Sequence, residues 1–266
     1  MSLRFFRRLR HRYAPPCLYF FPFSIYSIMV RFTIALALRD KFASRELVRL
    51  TYQLVNLHRN ENLEEGYLVN VNPKGQVPAL TAKSLPAPLT DSLSISYWVC
   101  ERQPSLIPET HRASIHRLLS QLHCIQGNPQ NPAVYDLLAR RDITPEHRRA
   151  LEYKRDCQNK QIESLFDDGG QQRTNKARDL FSDVLLEYDK FNRGGVWIFG
   201  DDIGPTVLDA HIVAFIARLI DVQLMEFVPS ELLKYAKVVM GLPEWEQVMH
   251  GRPTEWDPSL GPVDEL

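Results

Sequence analysis

Hydrophobic and polar positions follow two different rhythms along this chain, and the change falls near Pro104. Before it, short apolar runs alternate with helical stretches. CLYFFPF at 17–23 is short and aromatic-rich, which predicts a buried strand. Over 25–39 the apolar residues Ile25, Ile28, Met29, Phe32, Ala35 and Leu36 recur at helical spacing. LVRLTYQLVNL at 47–57 holds a second strand, VPAL at 77–80 a third, and 85–89 a fourth. A helix then opens at Ser92 and carries Leu93, Ile95, Trp98 and Val99. The order is strand, helix, strand, loop, strand, strand, helix.

Pro104 and Pro108 mark a linker, and beyond them strand signals nearly vanish. Helical patterns cover 109–124 and 133–165, the second breaking near Thr144-Pro145. DDGGQQ at 167–172 reads as a loop, after which Thr174 is placed to N-cap a helix. Ala177, Leu180, Phe181, Val184, Leu185, Tyr188 and Phe191 keep one apolar face there until Gly194-Gly195 stops it. The stretch 207–220 is apolar nearly all round, as a helix in the centre of a domain would be. Helices at 230–240 and 243–249 follow, and from Gly251 the chain is Pro-rich and reads as a loose tail. The expected organisation is a basic, disordered extension at 1–16, a compact α/β unit at 17–103 of about thioredoxin-like length, an all-helical unit at 109–250, and the tail at 251–266.

Composition narrows the class without altering this layout. A hydrophobic fraction of 44% and a charged fraction of 24% over 266 residues suit a soluble protein of two modest domains. Lys plus Arg equals Asp plus Glu at 32 each, which argues against bulk attraction to nucleic acid. The charge is unevenly spread: no acidic residue precedes Asp40, while Arg4, Arg7, Arg8, Arg10 and Arg12 crowd the start. This basic stretch and the apolar run after it have the look of an anchor. Pro15, Pro16 and Pro22 interrupt the run, however, and Arg31 ends it short of the ~20 apolar residues of a membrane helix, so no membrane span is expected. The Arg-rich, acid-free start also fits a mitochondrial presequence. Cys17, Cys100, Cys124 and Cys157 form no CxxC pair and no zinc spacing, and they read as reduced thiols of a cytoplasmic protein.

Three segments could carry chemistry. In Asn72-Pro73-Lys74-Gly75-Gln76-Val77-Pro78-Ala79-Leu80, a turn leads into a strand headed by Val-Pro, a candidate cis bond. The Val77 backbone could then pair with an extended peptide, although a plain turn has the same signature. Asp91-Ser92 opens a helix: Ser92 is an N-cap, the helix end offers N–H groups to a carboxylate, and Asp91 could hold an ammonium. A zwitterionic amino-acid group suits this pair, and so does a simple cap. Ser24 lies between the first strand and first helix, where its hydroxyl and the helix end would stabilise a thiolate; Ser27 competes for that role.

In this order and spacing the segments resemble the glutathione transferase superfamily. NPKGQVPAL is similar to its loop and cis-proline signature, and TDSLSISYWV to its acidic-Ser helix start, with Trp98 where an aromatic Tyr is usual. SIYSIMV resembles the Ser-x5-Val pattern of serine-type members, and FGDDIGPTVLDAHIVAFI the capping box of Thr206 and Asp209 with the buried helix behind it. The likeness covers roughly 17–250, with 126–175 poorly matched, and comes nearest to transferase-like proteins of fungal secondary-metabolite pathways. It implies a thioredoxin-like half that binds glutathione as co-substrate, with no bound cofactor and no metal, and an all-α helical-bundle half that supplies the pocket for an electrophile. Ser24 would be catalytic. Gln76, Asp91 and Ser92 would hold the γ-glutamyl end, and Val77, before Pro78, the cysteinyl backbone. His58, Arg59 and Lys74 are the candidates for the glycyl carboxylate. Helix faces near His116, Leu119 and His123 are candidate lining for the electrophile. The expected activity is transfer of the glutathione thiol to an electrophilic small molecule, such as a secondary-metabolite intermediate, by a homodimer. The alternative is a catalytically silent binding module on the same fold.

Overall fold

The structure, a computed structural model, describes residues 15–125, 131–163, 171–192 and 194–263. Most of the basic extension expected at 1–16 and the core of the loop expected at 167–172 lie outside these residues.

The N-terminal half is a small mixed sheet with helices against it. β1 (Cys17–Phe20) pairs in parallel with β2 (Thr51–Leu54) and antiparallel with β3 (Ala79–Thr81), so β1 is central. The fourth strand expected at 85–89 is reduced to one bridge, in which Leu80 and Leu89 exchange both backbone hydrogen bonds. The reason is local: Pro86 and Pro88 lack the N–H a longer ladder needs.

Helix α1 (Ile25–Ala37) crosses behind the sheet and is almost wholly buried, with Ile28, Met29, Phe32 and Ile34 inaccessible to solvent. Its polar residues are satisfied inside. The Thr33 hydroxyl donates to Met29 O, and Arg31 reaches out to Val248 O at 2.6 Å. After the short α2 (Arg45–Val48) and two 3-10 turns come α3 (Glu65–Asn70) and then α4 (Ser92–Arg102).

The C-terminal half is all helical: α5 (Arg112–Ile125), α6 (Ala133–Ala139), α7 (Pro145–Glu163), α8 (Gln171–Phe191), α9 (Val207–Asp221), α10 (Ser230–Met240) and α11 (Pro243–Met249). The break expected at Thr144-Pro145 is present, since Pro145 begins α7. Thr174 does not cap α8, because the helix formers Gln171, Gln172 and Arg173 extend it upstream. α9 is the central helix. Every residue from Val207 to Ala217 is buried, and α9 packs on α1, so one apolar core runs through both halves. The architecture is therefore a thioredoxin-like N-terminal half joined to an all-α half.

The tail from Gly251, expected to be loose, is held through Val263. Thr254 donates from its N–H and its hydroxyl to Asp221 Oδ2, both at 2.6 Å, and Arg218 donates to the Thr254 hydroxyl at 3.1 Å. Trp256 packs its ring 4.4 Å from that of His58 and donates its indole N–H to Gly261 O. Val263 is buried with Phe21, Phe23, Val77 and Ala79. Removing 251–266 is expected to cost about 2–4 kcal/mol of stability, since two large apolar side chains lose their cover; urea denaturation would show it, and an unchanged midpoint would refute it.

Candidate functional site

Ser24 is placed by the end of β1 and the start of α1. It is the N-cap of α1, with extended backbone, and its Oγ accepts the Ser27 N–H at 3.4 Å. Its competitor is taken out of contention: Ser27 is fully buried and its Oγ accepts the Phe21 N–H at 3.3 Å. Ser24 is half-buried and faces a cavity.

The Val77-Pro78 bond is cis, as the sequence suggests. The loop before it is heavily pinned. Tyr67 OH and Asn72 Nδ2 both donate to Gln76 O, at 2.6 and 2.7 Å, and Asn62 Nδ2 donates to Gly75 O at 2.8 Å. Gly75 has φ +55°, and a Cβ there would lie 3.0 Å from Asn62 O, so the turn requires glycine. Val77 makes no backbone hydrogen bond within the described residues. Its N–H and C=O are open to an extended ligand.

At the head of α4 the cap is Asp91, not Ser92: Asp91 Oδ1 accepts the Ser94 N–H at 2.9 Å, and Ser92 is the first helical residue. Aspartate caps as well as serine, and it stands one residue nearer the turn. The shift suits the site. The cap uses one carboxylate oxygen, and the N–H of Ser92 belongs to the first helical turn, where donors lack intrahelical partners.

These segments converge on two cavities. The smaller, of about 190 Å³, is lined by Gln76, Val77, Pro78, Thr90, Asp91, Ser92, Tyr26 and His123. The larger, of about 470 Å³, takes in Ser24, Gln76, Val77, Tyr26, Asn60, Asn62, Lys154 and Arg218 among its walls. Tyr26, Gln76 and Val77 belong to both, so the two cavities adjoin and together form a composite groove walled by these three residues. All six residues singled out in the sequence, Ser24, Gln76, Val77, Pro78, Asp91 and Ser92, line it.

Other candidates are placed elsewhere. Among the candidates for the glycyl carboxylate, His58 makes edge-on ring contacts with Phe21 and Trp256, and His58, Arg59 and Lys74 are all exposed and outside the cavity walls. Of the α5 face, only His123 reaches the groove: Leu119 is core, and His116 Nδ1 bonds the Tyr97 hydroxyl at 2.8 Å. His123 is backed by a buried chain, with its Nε2 at 3.0 Å from His211 Nδ1 and His211 Nε2 at 2.9 Å from Ser96 Oγ. Burial lowers the pKa of both imidazoles, that of His211 well below the ordinary value, so the pair is neutral at pH 7.

Tyr26 went unnoticed in the sequence, although it stands two residues beyond Ser24 in the same helix start. Burial, reinforced by the Asp91 charge, pushes its phenol up to about 12, so it stays a neutral donor. Arg218 also lines the groove, with its Nη2 donating to Phe23 O at 2.7 Å and to Thr254 O and its Nε to the Thr254 hydroxyl. It fixes the backbone immediately before Ser24.

The chain matches no family model and no curated protein. Solved structures do resemble it. Poplar glutathione transferase F1 is similar at 17% identity and a TM-score of 0.55, over 89% of this chain and 97% of that one. A glutathione transferase homolog from Drosophila mojavensis, solved with bound glutathione, shares 19% identity at a TM-score of 0.54, over 88% and 90% of the two chains. Glutathione transferase Omega 3C from Trametes versicolor shares 14% identity at a TM-score of 0.54, over 96% and 92%. What these structures have in common with this protein is the arrangement of its elements from sheet to buried helix: the chain has the glutathione transferase fold.

Proposed function

We propose that the protein binds glutathione in this groove, activates it as the thiolate and transfers it to an electrophilic small molecule. The observation that carries the reading is the junction at Val77 and Tyr26, where adjoining cavities bring together an acid-capped helix end, an open backbone just ahead of a strand and a helix-capping serine.

The γ-glutamyl group, with an ammonium and a carboxylate, suits Asp91 and the N-terminal end of α4. Val77 then takes the cysteinyl backbone by β-pairing, and the thiol falls toward Ser24. The Ser24 hydroxyl donates to the thiolate, and the N-terminal end of α1 adds its positive potential. The electrophile lies beside Tyr26, whose neutral phenol can polarise it. Holding both reactants in one groove supplies proximity and removes water. A secondary-metabolite intermediate as electrophile, a homodimeric assembly and a cytoplasmic location complete the reading. Among the described residues no helix is long and apolar enough to cross a membrane.

The test is a glutathione titration followed by thiolate ultraviolet absorbance at pH 6.5. A saturable thiolate signal is expected. No binding at millimolar glutathione would leave a silent scaffold of the same fold.

A further inference from the structure

The larger cavity contains a cation that no local sequence pattern marks. Lys154 stands in the middle of α7, within the stretch 126–175 that matches the family pattern poorly. It is 4% exposed and lines the cavity that holds Ser24, Gln76 and Val77. Lysine is almost never this buried unless paired. Yet Lys154 makes no hydrogen bond and no ion pair among the described residues, and no carboxylate belongs to the cavity wall. Arg218, the other cation there, commits Nε and Nη2 to Thr254 and Phe23, which fixes its guanidinium against the backbone and leaves Nη1 as its remaining donor group.

We propose that Lys154 receives the glycyl carboxylate of glutathione from the helical half of the protein. The inference rests on glutathione occupying the groove as described above. With the γ-glutamyl end at Asp91 and the cysteine at Val77, the tripeptide continues into the larger cavity, past Gly75 and Asn62, where the Lys154 ammonium makes no hydrogen bond or ion pair among the described residues. The ligand would then bridge the thioredoxin-like half and the α6–α7 pair, which packs on α3.

Burial lowers the Lys154 ammonium to about 8, with Cys157 one turn along α7 acting in the opposite direction. Tyr26 and Arg218 are the other titratable residues of the cavity wall. On the packed neighbours, Glu65 of α3 accepts from the Thr144 hydroxyl and Asp136 of α6 is exposed, and neither is paired with Lys154 or shifts it. A bound carboxylate favours the charged form and raises this value. The bound state therefore holds more protons than the free state above pH 8, and affinity falls as pH rises through that range. Below it this group contributes no pH dependence.

The experiment uses S-methylglutathione, which has no thiol to titrate, and its glycine ethyl ester, which lacks the carboxylate. Calorimetry on the full chain compares wild type with Lys154→Met, a substitution that keeps the buried stem, with thermal unfolding confirming that the variant is folded. Wild type is expected to prefer the acid over the ester by about 10- to 100-fold at pH 7. That preference should shrink above pH 8 and be absent from Lys154→Met. Equal binding of acid and ester by wild type, or a preference that survives in Lys154→Met, overturns the inference alone. Failure of both ligands to bind wild type overturns it together with the glutathione reading.

Discussion

Replacing Asp209 with alanine is expected to lower the unfolding free energy by about 3–5 kcal/mol, the cost of deleting one partner from a buried charged network. Asp209 is fully buried and each of its oxygens serves two donors. Oδ2 accepts the Thr206 N–H at 2.8 Å and the Thr206 hydroxyl at 2.6 Å, while Oδ1 accepts the Ile198 N–H at 3.0 Å and the Tyr235 hydroxyl at 2.8 Å. One carboxylate thus closes the capping box of α9, anchors the loop that precedes it and ties α10 to both. Alanine would strand two backbone N–H groups and a tyrosine hydroxyl in the core, at about 1–3 kcal/mol for each unsatisfied group, and would remove half the capping box. Asp209→Asn keeps one acceptor oxygen and should lose roughly half as much. Urea denaturation of the three proteins measures the series. A loss under about 1 kcal/mol for alanine would mean that water replaces the carboxylate, and the tie between loop, cap and α10 would then be of little consequence.

The second large effect concerns chemistry. Ser24→Ala is expected to raise the pKa of bound glutathione by about 1–2 units and to cut turnover at pH 6.5 by about 10- to 100-fold. The hydroxyl is doubly placed. Its oxygen already accepts the Ser27 N–H as the cap of α1, and its proton is left to donate toward the thiol. A charge-assisted hydrogen bond of about 1.5–3 kcal/mol matches the shift. Binding of S-methylglutathione should hardly change, because it has no thiolate to stabilise, and this separates loss of activation from loss of the site. Some stability, about 1 kcal/mol, should go with the cap. If turnover and thiolate absorbance persist in the variant, the activating donor lies elsewhere, and Tyr26, on the same helix turn and lining the same groove, is the next residue to change.

The features legible in the sequence are those whose causes lie within a few residues. The cap at Ser24, the capping box of Thr206 and Asp209 and the turn that ends in Val77-Pro78 are each set by neighbours in the chain, so their residue types and spacing suffice. The same holds for α9, whose all-round apolar surface can be stable only when covered on every side. Even so, the cap of α4 moved from Ser92 to Asp91. Both residues can cap, and composition does not separate them. The strand at 85–89 was misread for a comparable reason: its apolar residues fit, and its prolines weigh more.

Tertiary structure decided everything that depends on distant segments meeting. The choice between Ser24 and Ser27 turned on which hydroxyl the Phe21 backbone claims inside the fold. His123 became a groove residue and His116 did not, although both lie on α5, because only one of them faces Tyr26 across the interface between the halves. The tail looked free because its residues are Pro-rich and polar. It is held because Asp221 and Arg218 on α9 present a matched pair of partners to Thr254. Lys154 is the clearest case. On an otherwise charged and polar helix a lysine reads as solvated surface, and nothing local distinguishes it from its neighbours. Only the packing of α7 on α3 removes it from water and turns it toward the groove. Local sequence determines where helices start and turns close, since those energies are short-ranged. Which polar groups end up buried and facing a ligand is settled by packing between segments far apart in the chain, and there the physics of burial takes effect only once the fold has formed.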